Sequence, residues 1–229
     1  VTTLRLLSYN IRSLRDDQEA AFRVIRAARP HVVCIQEAPR FLRWRSTAAR
    51  IARKSGLVVL GGGRPAAANL LLCTLEVDVR ASRDVLFSKD RRLHQRGTAM
   101  ASLQLSGRPF AVAGTHLDVV EPPRLRHVAE LHRAVDDFVG SDVAAIVAGD
   151  MNDDPGSPVW QALEQRGADA WAAVGSGDGI TSSVVQPRRR IDAVFVDRRL
   201  TVVRAEVINT ADVQVGSDHR PLLVEIDLG

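Results

Sequence analysis

Eight polar residues stand where apolar runs stop: Asn10, Glu37, His116, Asp150, Asn152, Asp192, Asp218 and His219. They amount to four carboxylates, two carboxamides and two imidazoles, with no cysteine in a ligand-like setting. Carboxylate and amide oxygens suit a hard cation, Mg2+ first and Mn2+ or Ca2+ as alternatives, whereas a zinc site more often shows closely spaced His or Cys. Such a set can promote attack of water on phosphorus. A cation neutralises developing charge, one carboxylate orients or deprotonates the water, and a histidine stabilises or protonates an oxygen. A second carboxylate that holds the histidine in one tautomer completes such a site.

These residues need rigid elements beneath them. Ala144–Ala148 is a wholly apolar run, short enough for a buried strand, which stops at Gly149 and hands over to Asp150 and Asn152. Further strands are predicted at Leu4–Tyr9 running into Asn10, His31–Gln36 ending at Glu37, Leu70–Cys73, Val77–Leu86 and Thr98–Leu105. Others are predicted at Phe110–Thr115 ending at His116, Ile191–Val196, Leu200–Ile208 and Leu222–Ile226. Helical spacing recurs at Ala21, Val24, Ile25 and Ala28, with Asp16 and Glu19 as a capping box and Pro30 as a stop. Phe41, Trp44, Ala48 and Ile51 mark a second helix whose arginines form a solvated face, and Leu125, Val128, Leu131, Val135 and Phe138 mark a third. Ser157-Pro158 is a helix start. Gly61-Gly62-Gly63 reads as a flexible turn, since no Gly-Lys-Ser/Thr follows it, and 172–190 reads as a loop.

Nine or ten strands, many consecutive, with four helices favour an α+β fold, a four-layer α/β/β/α sandwich of two packed, mostly antiparallel sheets flanked by helices. One domain over 1–229 is expected. Hydrophobic content of 45% and charged content of 25% are ordinary for a globular chain. No run approaches the ~18 apolar residues of a membrane span. The charge of +4 and pI near 9.8 permit a phosphate-bearing substrate. They do not identify one, because Lys54 and Lys89 are the only lysines and an Arg-, Ala- and Val-rich composition accounts for the rest. Cys34 and Cys73 lie in apolar runs and are read as free buried thiols. The first residue is Val1, so the compartment stays open between the cytoplasm, slightly favoured, and a processed secreted chain.

Six segments, Ser8-Tyr9-Asn10-Ile11, Ile35-Gln36-Glu37, Gly114-Thr115-His116-Leu117, Gly149-Asp150-Met151-Asn152, Arg190-Ile191-Asp192 and Gly216-Ser217-Asp218-His219-Arg220-Pro221, resemble the endonuclease/exonuclease/phosphatase superfamily and follow its order. Asn69-Leu70-Leu71 and Arg96-Gly97 are weaker echoes, and together the matches run from residue 4 to residue 226. The resemblance implies Glu37 as principal metal ligand, with Asn10 beside it and Asp218 joining. It implies Asp150 on the attacking water, Asn152 on that water or a phosphate oxygen, and His219 on the scissile phosphate, oriented by Asp192. His116 matches the second histidine of deoxyribonuclease-like and sphingomyelinase-like branches, near the leaving oxygen; the abasic-site branch carries Tyr there.

Position by position, plainer readings stand beside these. Asn10 and Asn152 are also turn formers, Asp192 is also a salt-bridge partner for Arg188–Arg190, and His116 is also a strand-end histidine. Asp153 and Asp154 are read as turn and helix-start residues, Arg188–Arg190 as a solvated loop, and His31, His94, His127 and His132 as ordinary; Asp118 has no evident role. The implied function is a Mg2+-dependent phosphodiesterase, with DNA cleavage as endonuclease or exonuclease among its forms, acting as a monomer. The alternatives are a phosphatase or phosphodiesterase on a small or lipid-derived phosphate, and last a non-catalytic phosphate-binding module. No exposed apolar hairpin for a bilayer surface is evident, since Phe41 with Trp44 fits a helix core face.

Overall fold

A computed structural model describes residues 2–229. The chain forms two six-stranded sheets. The first runs in the order β11 (Thr201–Val207), β12 (Leu222–Asp227), β1 (Thr3–Asn10), β2 (Val32–Gln36), β4 (Asn69–Cys73) and β3 (Val58–Gly63). The second runs β5 (Val77–Leu86), β6 (Gly97–Leu105), β7 (Arg108–His116), β8 (Ala145–Asp150), β10 (Asp192–Val196) and β9 (Ala168–Asp169). Pairing is antiparallel except for β1 with β2 and β7 with β8.

Three apolar layers define the sandwich. Leu4, Leu6, Cys34 and Leu71 of the first sheet meet Val112, Ile146, Ala148 and Val194 of the second between the sheets. Leu7, Val33 and Ile35 face outward under α1 (Gln18–Ala28) and α2 (Trp44–Ser55), where Phe22, Ile25 and Ile51 cover them. Ala113, Val147 and Phe195 face outward under α3 (Glu121–Val139) and α4 (Pro158–Glu164), against Leu131, Val135 and Trp160. Strands β2 and β8 therefore bury both faces, which is why they read as unbroken apolar runs rather than alternating ones. The expected α/β/β/α sandwich is what forms. Cys34 and Cys73 are free and buried in the central layer, and burial pushes both thiols up.

Several local expectations are corrected. The α1 cap is Asp17, not Asp16, and its carboxylate accepts from Ala20 N at 3.0 Å. Gly61–Gly63 is no flexible turn: it ends β3, and a Cβ on Gly63 would lie 2.5 Å from the Trp44 ring. Phe41 is not on the helix face. Arg43 adopts a left-handed conformation at the start of α2, the chain turns there, and Phe41 is left 78% exposed. Residues 172–190 include the end of α5 (Ala170–Val174), and α6 (Ala211–Gly216) and β9 were not anticipated. Ser157 caps α4 as expected, accepting from Trp160 N at 3.1 Å. Among the described residues no helix is long and apolar enough to cross a membrane.

Candidate active site

Strand register brings the polar set together. The parallel pair β1–β2 aligns Asn10 with Gln36, so Glu37 follows beside Asn10. The parallel pair β7–β8 aligns His116 with Asp150, and antiparallel β10 aligns Asp192 with Asp150. His116, Asp150 and Asp192 thus form one row across the second sheet, since directly paired residues project to the same face. Gly149 lets β8 approach β7: a Cβ there would sit 1.9 Å from the Thr115 carbonyl oxygen. Ser217 donates to Asn10 O at 2.6 Å, which fixes the loop carrying Asp218 and His219 over the same end of the sandwich.

Asp150 is the hub. Its Oδ2 lies 3.0 Å from Asn10 Nδ2, 3.4 Å from His116 Nε2 and 3.8 Å from His219 Nε2. Its Oδ1 accepts from Asn152 N at 2.9 Å. Asn10 Nδ2 also donates to Glu37 Oε1 at 3.2 Å, so the Glu37 and Asp150 carboxylates converge on one amide nitrogen. The Asn10 carboxamide oxygen accepts from Arg12 N at 3.0 Å. Glu37 and Asn152 both sit in the left-handed region, at φ 54° and 52°. Such strain is retained where surrounding structure over-determines it.

The two imidazoles are in opposite states. For His219, burial alone lowers its basicity; the charge of Asp192, their 2.8 Å hydrogen bond, and the charges of Asp150 and Asp218 outweigh that and carry it up to about 10. His116 is pushed down to about 3 by burial, with Asp150 opposing and Arg96 assisting. It is therefore neutral, and its Nε2 accepts from Asn152 Nδ2 at 2.9 Å. Asp192 pairs with His219 and not with Arg188–Arg190. Arg189 goes to Asp154 and Arg190 to Asp169. Asp153 is held by Arg124 at 3.0 Å, so neither it nor Asp154 joins the set. Asp218 is the outlying member: its carboxylate is 37% exposed and lies 3.3 Å from Arg12 Nε.

Two further positions matter: Arg96, which the sequence offers only as a motif echo, and Thr181, which it does not single out. Arg96 lines the cleft, buried, with Nε 3.6 Å from Asp118 Oδ2. Burial lowers its basicity, and the charges of Asp118, Asp150 and Glu37 oppose that. Arg96-Gly97 was visible as a motif echo, but its partner Asp118 comes from a loop that periodicity does not describe. Thr181, in the long loop, is fully buried, and its hydroxyl accepts from Ile191 N and Asp192 N at 3.1 and 3.0 Å, pinning the start of β10.

The cleft encloses about 660 Å3 above Glu37, Arg96, His116, Asp150, Asn152 and His219. Its donors fit a divalent cation. Glu37 and Asp150 are like charges held close, and Asp150, Asp192 and His219 bring ligand atoms within 4.8 Å of one another, a buried group that could hold a metal ion when His219 is neutral. Oxygen donors dominate, as hard cations require.

A charged imidazolium, a converging pair of carboxylates and a buried guanidinium in one cleft make a centre for phosphoester hydrolysis. The chain belongs to the Endonuclease/Exonuclease/phosphatase family, whose signature matches residues 7–219. That family comprises phosphoester hydrolases. No curated protein matches the chain. Solved structures do. An endonuclease/exonuclease/phosphatase from Bacteroides vulgatus superposes with TM-score 0.83 at 20% identity, covering 100% of both chains. A mannosyl-6-phosphatase of Bacteroides thetaiotaomicron gives 0.81 at 17%, over 97% of this chain and 99% of that one. TDP2 of D. rerio, complexed with single-strand DNA product, gives 0.72 at 14%, over 99% and 100%. At these identities the likeness establishes the fold.

Proposed function

We propose that this protein hydrolyses a phosphodiester by attack of water, with Mg2+ or Mn2+ as its cation. The observation that carries the reading is the Asp192–His219 pair facing Asp150 across 3.8 Å, a fixed imidazolium opposite a fixed carboxylate. Glu37 and Asn10, with Asp218 at the edge of the site, are the residues that would hold the cation. When bound, the cation supplies neutralisation of charge on the phosphate oxygens.

The chain's own groups do the remaining work. His219 donates from Nε2 to a non-bridging phosphate oxygen, and Asp192 keeps it charged and in one orientation. Asp150 accepts from the attacking water and aligns it, with the Asn152 backbone N–H steadying the carboxylate at 2.9 Å. The Asn152 amide is committed to His116 Nε2 and to Leu117 O at 3.0 Å, so it orients His116, and its oxygen remains for the water. His116, neutral, stands near the leaving oxygen. Arg96 faces the same cleft and adds fixed positive charge for the phosphate.

DNA is the first substrate to test. The deciding assay uses bis-p-nitrophenyl phosphate, p-nitrophenyl phosphate and plasmid DNA with Mg2+ or Mn2+, and EDTA controls. Cleavage of the diester and nicking of plasmid, without release of phosphate from the monoester, is the expected result. No turnover of any of them, with no divalent-cation binding by calorimetry, would falsify the reading. The 660 Å3 cleft also suits a small phosphate ester, which keeps a phosphatase with the same residues as the second reading. Preferential turnover of the monoester would select it.

A further inference from the structure

The catalytic cleft does not end at the catalytic residues. It shares Arg40, Phe41, Ala67 and His94 with a second cleft of about 870 Å3, so the two form one trough. Its lining comes from the segment between β2 and α2, continuing into the first turn of that helix, and from the β5–β6 loop, with Arg64 and Ala67 beside them.

Three observations bear on what lies there. The trough's extension is lined by Arg40, Arg43, Arg45, Arg64 and Lys89 and by no carboxylate. Arg91 and Arg92 flank Lys89 in an adjoining hollow, where the single acid, Asp90, is taken by Arg126 at 2.5 Å. Among the described residues, none of these seven cations has a carboxylate partner. Other arginines, such as Arg23 with Asp212, Arg166 with Asp136, Arg189 with Asp154 and Arg199 with Asp197, are neutralised by acids; what sets the trough apart is that its cations gather in one cleft with no acid among them. Second, the shared wall carries bare flat and apolar surface: Phe41 is 78% and Leu42 93% exposed, with Arg40 5.7 Å from the Phe41 ring centroid. Third, Arg45 lies 4.5 Å over the Trp44 ring, a second stacked plane in the same cleft. Unpaired cations and an exposed aromatic ring, Phe41, along a trough are what a chain of phosphates and unstacked bases requires.

We propose that this trough binds the flank of a single-stranded nucleic acid whose scissile phosphate lies over Asp150 and His219. The proposal rests on the phosphodiesterase reading above and names its substrate class. Arg43, Arg45 and Lys89 track backbone phosphates beyond the scissile one, and Phe41 stacks on a base that must be unpaired to reach it. A trough continuous with the catalytic cleft accommodates an extended strand whose scissile phosphate lies in that cleft.

The test measures anisotropy of labelled oligothymidylates in EDTA, from dinucleotide to dodecamer, with a duplex of equal length and vesicles of phosphatidylglycerol as competitors. The dodecamer should bind at least about 10-fold tighter than the dinucleotide, and should weaken steeply between about 50 and 200 mM salt. R43E/R45E/K89E should remove that length-dependent gain, and Phe41→Ala should lower affinity about 10-fold. R43E/R45E/K89E should hydrolyse bis-p-nitrophenyl phosphate at the parent rate, which also certifies its folding; for Phe41→Ala, at a residue that lines the catalytic cleft, an unchanged melting temperature does so. Length-independent binding, or duplex bound as tightly as single strand, overturns the proposal. So does vesicle binding that displaces the dodecamer and is lost in F41A/L42A, which would give the trough to an anionic membrane. Diester turnover reads the catalytic centre separately, so failure of the trough and failure of the centre give different results.

Discussion

His116 and His219 reach the same Asp150 oxygen, at 3.4 and 3.8 Å, yet one is neutral and the other charged. The difference is Asp192, which contacts only His219. In EDTA-treated protein, imidazole proton resonances should therefore show His219 charged until about pH 10 and His116 neutral until about pH 3. Asp192→Asn should bring the His219 transition down toward the free-histidine value near 6.5. Stability follows the same linkage. His219, raised in the fold, contributes fully below about pH 6.5 and loses that contribution as pH climbs through about 10; His116, lowered, contributes fully above about 6.5 and loses it as pH falls toward 3. Urea midpoints of metal-free His219→Ala should accordingly fall less between pH 7 and 9 than those of the parent. For turnover, His219→Ala, Asp150→Asn and Glu37→Gln should each cost on the order of 100- to 10,000-fold on bis-p-nitrophenyl phosphate. Unchanged activity in Glu37→Gln would remove that residue from the metal site. Residues at this scale are legible where they end a strand, as Asn10 and His116 do, or directly follow one, as Glu37 does. The Arg96–Asp118 pairing and the role of Thr181 are not, because their partners are set by tertiary approach of loops; Arg96 alone is legible as a motif echo.

Strand ends do the positioning, and β8 shows how closely they are built. Gly149→Ala should lower the melting temperature sharply and abolish turnover, because its Cβ would meet Thr115 O at 1.9 Å and push β8 from β7. Trp160 on α4 packs edge-on to Phe195 of β10 at 5.3 Å, and its Nε1 donates to Asp169 at 3.1 Å. Trp160→Ala should cost about 3–5 kcal/mol in denaturant unfolding. Asp17→Ala removes only a helix cap and should cost about 1 kcal/mol. A loss near zero would return the cap to Asp16. Buried strands and long amphipathic helices were legible because their apolar spacing is long enough to read. The element starting at Trp44 was misjudged because Phe41 continues the helical period while Arg43 breaks the helix. The triple glycine reads as a turn because its demands are tertiary: Gly63 lies under the Trp44 indole and Gly62 against the Asn69 carbonyl oxygen, which no local pattern carries.

The site belongs to neither sheet. Asn10 and Glu37 come from the first and Asp150 and Asp192 from the second, and the Asn10–Asp150 and His219–Asp192 contacts span the seam. A cation bound there should hold the two sheets together. At a concentration 100-fold above its Kd, Mg2+ or Mn2+ should add about 2.7 kcal/mol, or roughly 5–10 °C in melting temperature. The gain should vanish in Glu37→Gln and on adding EDTA; a shift of equal size in that variant would move the metal elsewhere. The seam itself was implied by many consecutive strands, though which strands cross back was not, since that depends on long-range pairing. The first sheet takes β1 to β4 and then waits for β11 and β12, while the whole second sheet lies between them in the chain. On a ribosome this imposes a schedule. A nascent chain that has already made its entire second sheet still lacks His219 and the strand beside β1, so it stays inert until residues 201–227 have followed.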